Sequence, residues 1–154
     1  MKYEHLGKTL HQIGIMNLKA INNRLKKLDL TMAQGLVLIF LQETDGNELP
    51  IKMLEKMSET SQPTMLGVIN RLEQKGFITT YLNTKRKKMV KITDYGLNII
   101  PDINECIEEV EEICFNGFTQ GEHAIFMELL HKTKNNLLQY HAIDERLETE
   151  NNDE

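Results

Sequence analysis

The spacing of apolar residues changes abruptly at Gly76. Before it, Met65, Leu66, Ile69 and Leu72 recur at the three- and four-residue intervals of one helix face, over a segment of about 62–75. After it, Phe77-Ile78-Thr79-Thr80-Tyr81 and Met89-Val90-Lys91-Ile92 are β-branched and aromatic, the composition of strands. Glycine suits the left-handed residue that ends a helix. The two strands bracket Leu82-Asn83-Thr84-Lys85-Arg86-Lys87-Lys88, a basic hairpin. A helix that stops on a glycine and feeds a two-strand ribbon with a cationic tip leaves few folds open.

The flanking segments narrow them further. Leu6, Leu10, Ile13, Leu18, Ile21, Leu25 and Leu28 mark an amphipathic helix over 4–28. Thr31 is an expected N-cap for a second helix, Met32 to about Glu43, apolar nearly all round and so the most buried. Asp45-Gly46-Asn47 reads as a turn. Pro50 suits the first position of a short helix to about Met57, which Ser58-Glu59-Thr60-Ser61 breaks. Thr60 or Ser61 then caps the 62–75 helix, with Pro63 in its first turn. After the ribbon, Thr93-Asp94 caps a helix to about Asn116 whose apolar face is Leu97, Ile100, Ile103, Ile107, Val110 and Cys114. Pro101 is tolerated there in a first turn and would otherwise kink the helix. Thr119 caps a last helix to about Leu147.

The expected class is therefore mainly α with a small β-hairpin: a winged helix-turn-helix with helical extensions at both ends. Residues 31–93 form the expected DNA-binding lobe. Residues 1–30 and 94–147 form a helical dimerisation region, and 148–154 an acidic tail without fixed structure. The extensions carry wide apolar stripes that a second copy would cover, and twofold symmetry suits a palindromic operator.

Charge is distributed unevenly. The chain of 154 residues has a net charge of −5. Residues 50–93 hold nine basic side chains (Lys52, Lys56, Arg71, Lys75, Lys85, Arg86, Lys87, Lys88, Lys91) against three acidic ones (Glu55, Glu59, Glu73). Residues 94–154 hold fifteen acidic against three basic. The middle of the chain can meet phosphates and the C-terminal third cannot. On the 62–75 helix, Gln62, Pro63, Thr64, Gly67, Asn70 and Arg71 are the outward positions toward a major groove. Gln and Asn can bond base edges, Arg can bond guanine or phosphate, and Thr can meet a thymine methyl. Lys85, Arg86, Lys87 and Lys88 would straddle the DNA backbone or reach the minor groove.

Three stretches, Leu30-Thr31-Met32-Ala33-Gln34, Leu54 through Ile78, and Val90-Lys91-Ile92-Thr93-Asp94-Tyr95-Gly96, together resemble the MarR family of regulators. The resemblance extends over residues 5–147. It implies a homodimeric transcriptional regulator, expected to act as a repressor, that binds double-stranded DNA and is released by a small aromatic or phenolic ligand. Positions suited to line a ligand crevice are His11, Ile15, Met16 and Gln34. The wing departs from the family. Its aspartate, any residue, arginine pattern reads Thr84-Lys85-Arg86 here, so the aspartate–arginine pair is absent, and the loop is about two residues short.

Other classes find less support. No glycine-rich phosphate loop, paired-histidine zinc motif or nucleophile elbow is present, so no enzyme and no cofactor are expected. His5, His11, His123, His131 and His141 have no tight metal-ligand spacing. Cys106 and Cys114 lie about 12 Å apart along one helix, too far for a bridge within the chain; a redox-responsive regulator pairing them between subunits is one alternative. A winged helix used only to bind protein is another. Apolar runs stop short of the roughly 20 residues of a membrane span, and Met1-Lys2 leads into a mixed polar segment rather than a signal peptide, so the expected location is the cytoplasm.

Overall fold

The structure, a computed structural model, describes residues 5–152, with the side chains of 143–152 excepted. It is mainly helical with a small sheet. In chain order the elements are α1 (Leu6–Leu25), α2 (Met32–Gln42), β1 (Glu48–Pro50), α3 (Ile51–Met57), α4 (Gln62–Gln74), β2 (Ile78–Leu82), β3 (Lys88–Ile92), α5 (Asp94–Cys114) and α6 (Gln120–Asn152). The chain divides into two compact units, Met1–Glu111 and Glu112–Glu154. The last helix, expected to end near Leu147 before an acidic tail without fixed structure at 148–154, instead runs on to Asn152; residues 153–154 lie outside the described residues.

In the first unit the core is built where α1, α2, α4, the sheet and α5 converge. Leu25, Leu38, Leu41, Leu54, Met65, Ile69, Leu72, Ile78, Val90, Ile100 and Ile103 are fully buried there. Fully burying each such side chain favours folding by about 1.5–3 kcal/mol before entropy is counted. The helix ends are specified locally. At the start of α2, Thr31 Oγ1 accepts from Gln34 N–H (3.3 Å), and Gln34 Oε1 accepts from Thr31 N–H (3.1 Å). This is a reciprocal capping box. Asn22 Oδ1 takes the neighbouring Met32 N–H at 2.8 Å. At the end of α4, Gly76 is left-handed (φ 79°), and Phe77 N–H reaches back to Leu72 O at 3.0 Å.

Five expectations are corrected or decided. The sheet has three strands in the order β1-β3-β2, not two: Glu48, Leu49 and Pro50 pair antiparallel with Lys91, Val90 and Met89. Pro50 is consequently an extended N-cap (φ −61°, ψ 140°) and α3 starts one residue later. Lys88 belongs to β3, opposite Leu82, so the hairpin loop is Asn83–Lys87. On α5 the buried face passes through Cys106, whereas Cys114 is exposed. Burial raises the Cys106 thiol pKa above its ordinary value, as expected when the charged form loses water. Pro101 lies inside α5 rather than in its first turn.

The second unit contains the close of α5 and α6. Thr119 and Glu122 form its cap: the Glu122 carboxylate accepts from Thr119 N–H (2.8 Å) and Oγ1 (2.9 Å), and Thr119 Oγ1 accepts from Glu122 N–H (3.2 Å). Phe115, Phe118 and Phe126 pack edge to face beside it. Among the described residues no helix is long and apolar enough to cross a membrane.

Candidate nucleic-acid interface

Helix α4 has one apolar and one open side. Met65, Ile69 and Leu72 are buried and Leu66 is half-buried, while Gln62, Pro63, Thr64, Gly67, Asn70 and Arg71 are all exposed. At about 100° per residue, Pro63, Thr64, Gly67, Asn70 and Arg71 fall within an arc of about 120°; Gln62 lies about 80° outside it, nearly in line with Ile69, and is exposed as the first residue of the helix. Gly67 lies in the arc's middle, and a Cβ there would meet nothing within 4 Å. Its missing side chain serves no internal packing, so it leaves the helix backbone open to close approach from outside. Ser61 is the N-cap residue, and its hydroxyl pairs with Thr64 Oγ1 at 2.9 Å instead of a backbone amide. The first amides of α4 are therefore not consumed by that side chain.

The hairpin is held by a residue to which sequence reasoning gave no role. Asn83 Oδ1 accepts from the backbone N–H of Lys85 (3.0 Å) and of Lys87 (2.9 Å). Asn83 N–H donates to Lys87 O (3.0 Å), and Asn83 O accepts from Arg86 N–H (2.9 Å). Arg86 sits in the left-handed region (φ 58°) at the tip. Lys85, Arg86 and Lys87 are exposed and Lys88 is half-buried at the head of β3. Three cations are thus displayed on a loop of defined shape, with Lys88 at the head of the strand that follows. An asparagine organises the backbone here, and Thr84 makes no substitute for an acidic partner to Arg86.

Two contacts join this ribbon to its surroundings. Glu73 on α4 accepts from Thr80 of β2 through both N–H (3.0 Å) and Oγ1 (2.8 Å). Across the sheet, the Tyr81 hydroxyl donates to Glu48 of β1 at 2.8 Å, and this bond to a carboxylate raises the Tyr81 pKa. Thr93 closes the base. Its N–H donates to Phe77 O (3.0 Å), its hydroxyl donates to Gly76 O (2.8 Å), and its Oγ1 accepts Gly96 N–H (3.0 Å). Phe77 and Tyr95 stack with ring centres 4.9 Å apart.

The four positions expected to line a ligand crevice separate. His11, Ile15 and Met16 are exposed on α1, whereas Gln34 is buried and engaged in the α2 cap. An apolar cavity of about 180 Å³ does lie between α1, α2 and the α3–α4 turn; Leu18, Met32, Leu36, Thr64, Met65 and Val68 are among its lining residues. Two of these, Thr64 and Met65, belong to the first turn of α4.

Comparison with known proteins follows this geometry. Residues 30–88 match the model of the MarR family. Among solved structures, a MarR transcriptional regulator from Methanosarcina mazei Go1 has a TM-score of 0.80 at 20% identity, over 90% of this chain and 93% of that one. Wild-type MarR from E. coli in its apo form has a TM-score of 0.75 at 24% identity, over 86% and 98%. BpsR from Bordetella bronchiseptica, whose DNA binding is regulated by 6-hydroxynicotinic acid, has a TM-score of 0.74 at 23% identity, over 87% and 96%.

Proposed function

For a chain whose residues 30–88 match the model of the MarR family, we propose a DNA-binding transcriptional regulator that acts as a homodimer on a palindromic operator, as a repressor, in the cytoplasm. One observation carries the reading. The exposed arc of α4 presents base-reading side chains around an unobstructed Gly67, beside a hairpin whose loop displays Lys85, Arg86 and Lys87 and whose second strand opens on Lys88. Groove reading and phosphate contact need these two surfaces together.

The division of labour is physical. Phosphate contacts by the wing supply affinity and register without sequence information. Gln62, Thr64, Asn70 and Arg71 supply discrimination, at about 1–3 kcal/mol for each good bidentate contact. Apolar side chains left open in each unit support the second copy: Leu6, Ile13 and Leu18 in the first, and Ile125, Leu129 and Leu137 in the second, are exposed. The dimerisation region at 1–30 and 94–147 would cover them. A small aromatic ligand in the cavity behind Thr64 and Met65 would push against the first turn of α4, the part that enters the groove, and release the operator.

Fluorescence anisotropy on DNA from the protein's own promoter region tests the reading, with sites chosen by selection from random duplexes. The expected result is a selected palindrome and a steep loss of affinity with salt. Replacing Lys85, Arg86, Lys87 and Lys88 together with Ala should weaken binding to every sequence and flatten the salt slope. Unchanged salt dependence in that variant removes the wing from the interface. Sedimentation should give twice 17.9 kDa at micromolar concentration, and a DNA-binding monomer would sink the dimer.

A further inference from the structure

Of the asparagines in the chain, only Asn116 is followed by glycine. The pair lies in the turn between Cys114, the last residue of α5, and Gln120, the first of α6. Both residues are exposed, and Gly117 is left-handed (φ 85°). Backbone bonds hold the turn on either side: Asn116 N–H donates to Ile113 O (3.3 Å) and Phe118 N–H to Phe115 O (3.0 Å). The Gly117 N–H between them has no acceptor among the described residues.

An asparagine loses its side-chain amide when the next backbone nitrogen attacks it. That nitrogen must be free of a hydrogen bond, open to water and not shielded by a side chain of its own residue. Gly117 meets all three conditions. Other exposed asparagines do not. Asn70 precedes Arg71 inside α4, where the helix ladder holds the next amide. Asn83 precedes Thr84, and its Oδ1 is engaged by the amides of Lys85 and Lys87.

We infer that Asn116–Gly117 is a self-modifying site: the folded chain converts Asn116 to aspartate and isoaspartate without a catalyst, and the charge so formed weakens the α5–α6 turn. Hydroxide takes the Gly117 amide proton and becomes water. The nitrogen forms a bond to Asn116 Cγ while the Cγ–Nδ2 bond breaks. Nδ2 leaves with its two hydrogens and takes a proton from water, departing as ammonia and restoring hydroxide. A water molecule then opens the five-membered ring. Attack at Cγ breaks its bond to the Gly117 nitrogen and gives aspartate. Attack at the backbone carbonyl carbon of residue 116 breaks that bond instead and gives isoaspartate, with the chain running through Cγ. Either way the hydroxyl stays on the carbonyl carbon and the proton goes to the Gly117 nitrogen. Water is the only co-reactant, and nothing is oxidised or reduced.

The surroundings make the new charge unwelcome. From Asp94 to His131 the sequence holds no lysine or arginine. Asn116 and Glu122 border the same open depression of about 460 Å³, whose apolar wall includes Phe118, Ile125, Phe126 and Leu129. Asn116 is two residues past the end of α5 and four before the start of α6. The end of a helix repels an anion and the start of one attracts it, both over about one turn, so the nearer α5 terminus prevails. The proposal does not rest on the DNA-binding reading.

The test is peptide mapping by mass spectrometry of the full chain, kept folded in buffers from mildly acidic to mildly alkaline. The Asn116 peptide should exchange an amino group for a hydroxyl faster than any other asparagine peptide. Its rate should rise in proportion to hydroxide, with isoaspartate among the products, since only the ring intermediate yields it. Asn116→Gln, which would need a larger ring, should lose the conversion. The inference is overturned if the folded chain does not convert while the urea-unfolded chain does, if aspartate appears without isoaspartate, or if Asn83 converts as fast. The effect on the turn is read by hydrogen exchange at the Phe118 amide. Exchange should be about two- to fivefold faster in Asn116→Asp than in Asn116→Gln, the size of an ordinary charge–dipole effect, and the gap should narrow with salt. Equal exchange in the two variants overturns the claim that the charge weakens the turn.

Discussion

Asn83 and Lys87 are joined twice across the tip of the ribbon: the asparagine N–H donates to the lysine carbonyl at 3.0 Å, and the asparagine Oδ1 accepts the lysine N–H at 2.9 Å. With Lys85 N–H on the same Oδ1, one side chain replaces what a longer loop would need several residues to do. Arg86 can hold its left-handed backbone because the turn around it is closed.

Asn83→Ala should therefore loosen the wing while leaving all its charges in place. The expected outcome is a roughly tenfold loss of affinity for DNA of any sequence, the equivalent of about 1.4 kcal/mol, with Tm nearly unchanged. Asn83→Asp keeps the acceptor and should retain the loop shape. Amide chemical shifts of Lys85 and Lys87 report the geometry directly. If they do not move in Asn83→Ala, the side chain is not what shapes the turn.

On α4 the two kinds of contact separate by readout. Gln62→Ala, Thr64→Ala and Arg71→Ala should each relax preference at particular base pairs, by about 1–3 kcal/mol of discrimination where the contact is bidentate. Gly67→Ala is the sharper test. An added Cβ meets nothing inside the protein, and alanine favours the helix by about 0.8–1 kcal/mol, so Tm should rise while operator affinity falls. Binding of all four variants to a panel of single-base operator variants decides it. Uniform losses with preferences intact would make α4 a backbone clamp, with sequence read through DNA shape.

Gly96 is the opposite kind of glycine. A Cβ there would lie 2.3 Å from Phe77 O and 2.6 Å from the Ile92 side chain, where α5 crosses the base of the ribbon. Gly96→Ala should cost about 1–3 kcal/mol in thermal or urea unfolding, because backbone rather than a flexible side chain must give way. Wild-type stability in this variant would mean that the Thr93 clasp tolerates displacement.

The α6 cap should titrate. Its hydrogen bonds from Thr119, the backbone amide first and the hydroxyl second, hold the Glu122 carboxyl below its ordinary pKa of 4.5. A depressed folded-state pKa contributes stability that is complete above the unfolded value and lost as pH falls through the folded one. Carboxyl-carbon NMR should place the Glu122 midpoint below 4.5 and show it rising in Thr119→Ala. A wild-type midpoint at or above the ordinary value would contradict the cap.

Much of the architecture was legible because local signals agreed with the global fold. Gly76 marked the end of α4, Thr31 the start of α2, and Met65, Ile69 and Leu72 the buried face. β1 was not legible: three residues ending in proline carry no period, and their ladder partner Lys91 lies far along the chain. The helix phase on α5 was read through Ile103, Ile107, Val110 and Cys114, but packing selects Cys106 and leaves Cys114 outside. Gln34 stood out by position, whereas its reciprocal capping bond with Thr31 required coordinates. The role of Asn83 was hidden for a related reason, since an asparagine in a polar loop is common and only its four hydrogen bonds distinguish it.

The Glu73 carboxylate holds Thr80 by both its amide and its hydroxyl, so α4 and the ribbon turn as one piece. On the DNA-binding reading this makes each lobe a fixed ruler. The distance along the duplex between the bases read by α4 and the phosphates gripped by the wing is then a constant of the chain, set before any operator is met. Operators of different length would be accommodated only by swinging whole lobes apart. Half-sites should therefore keep one internal spacing while the gap between them varies.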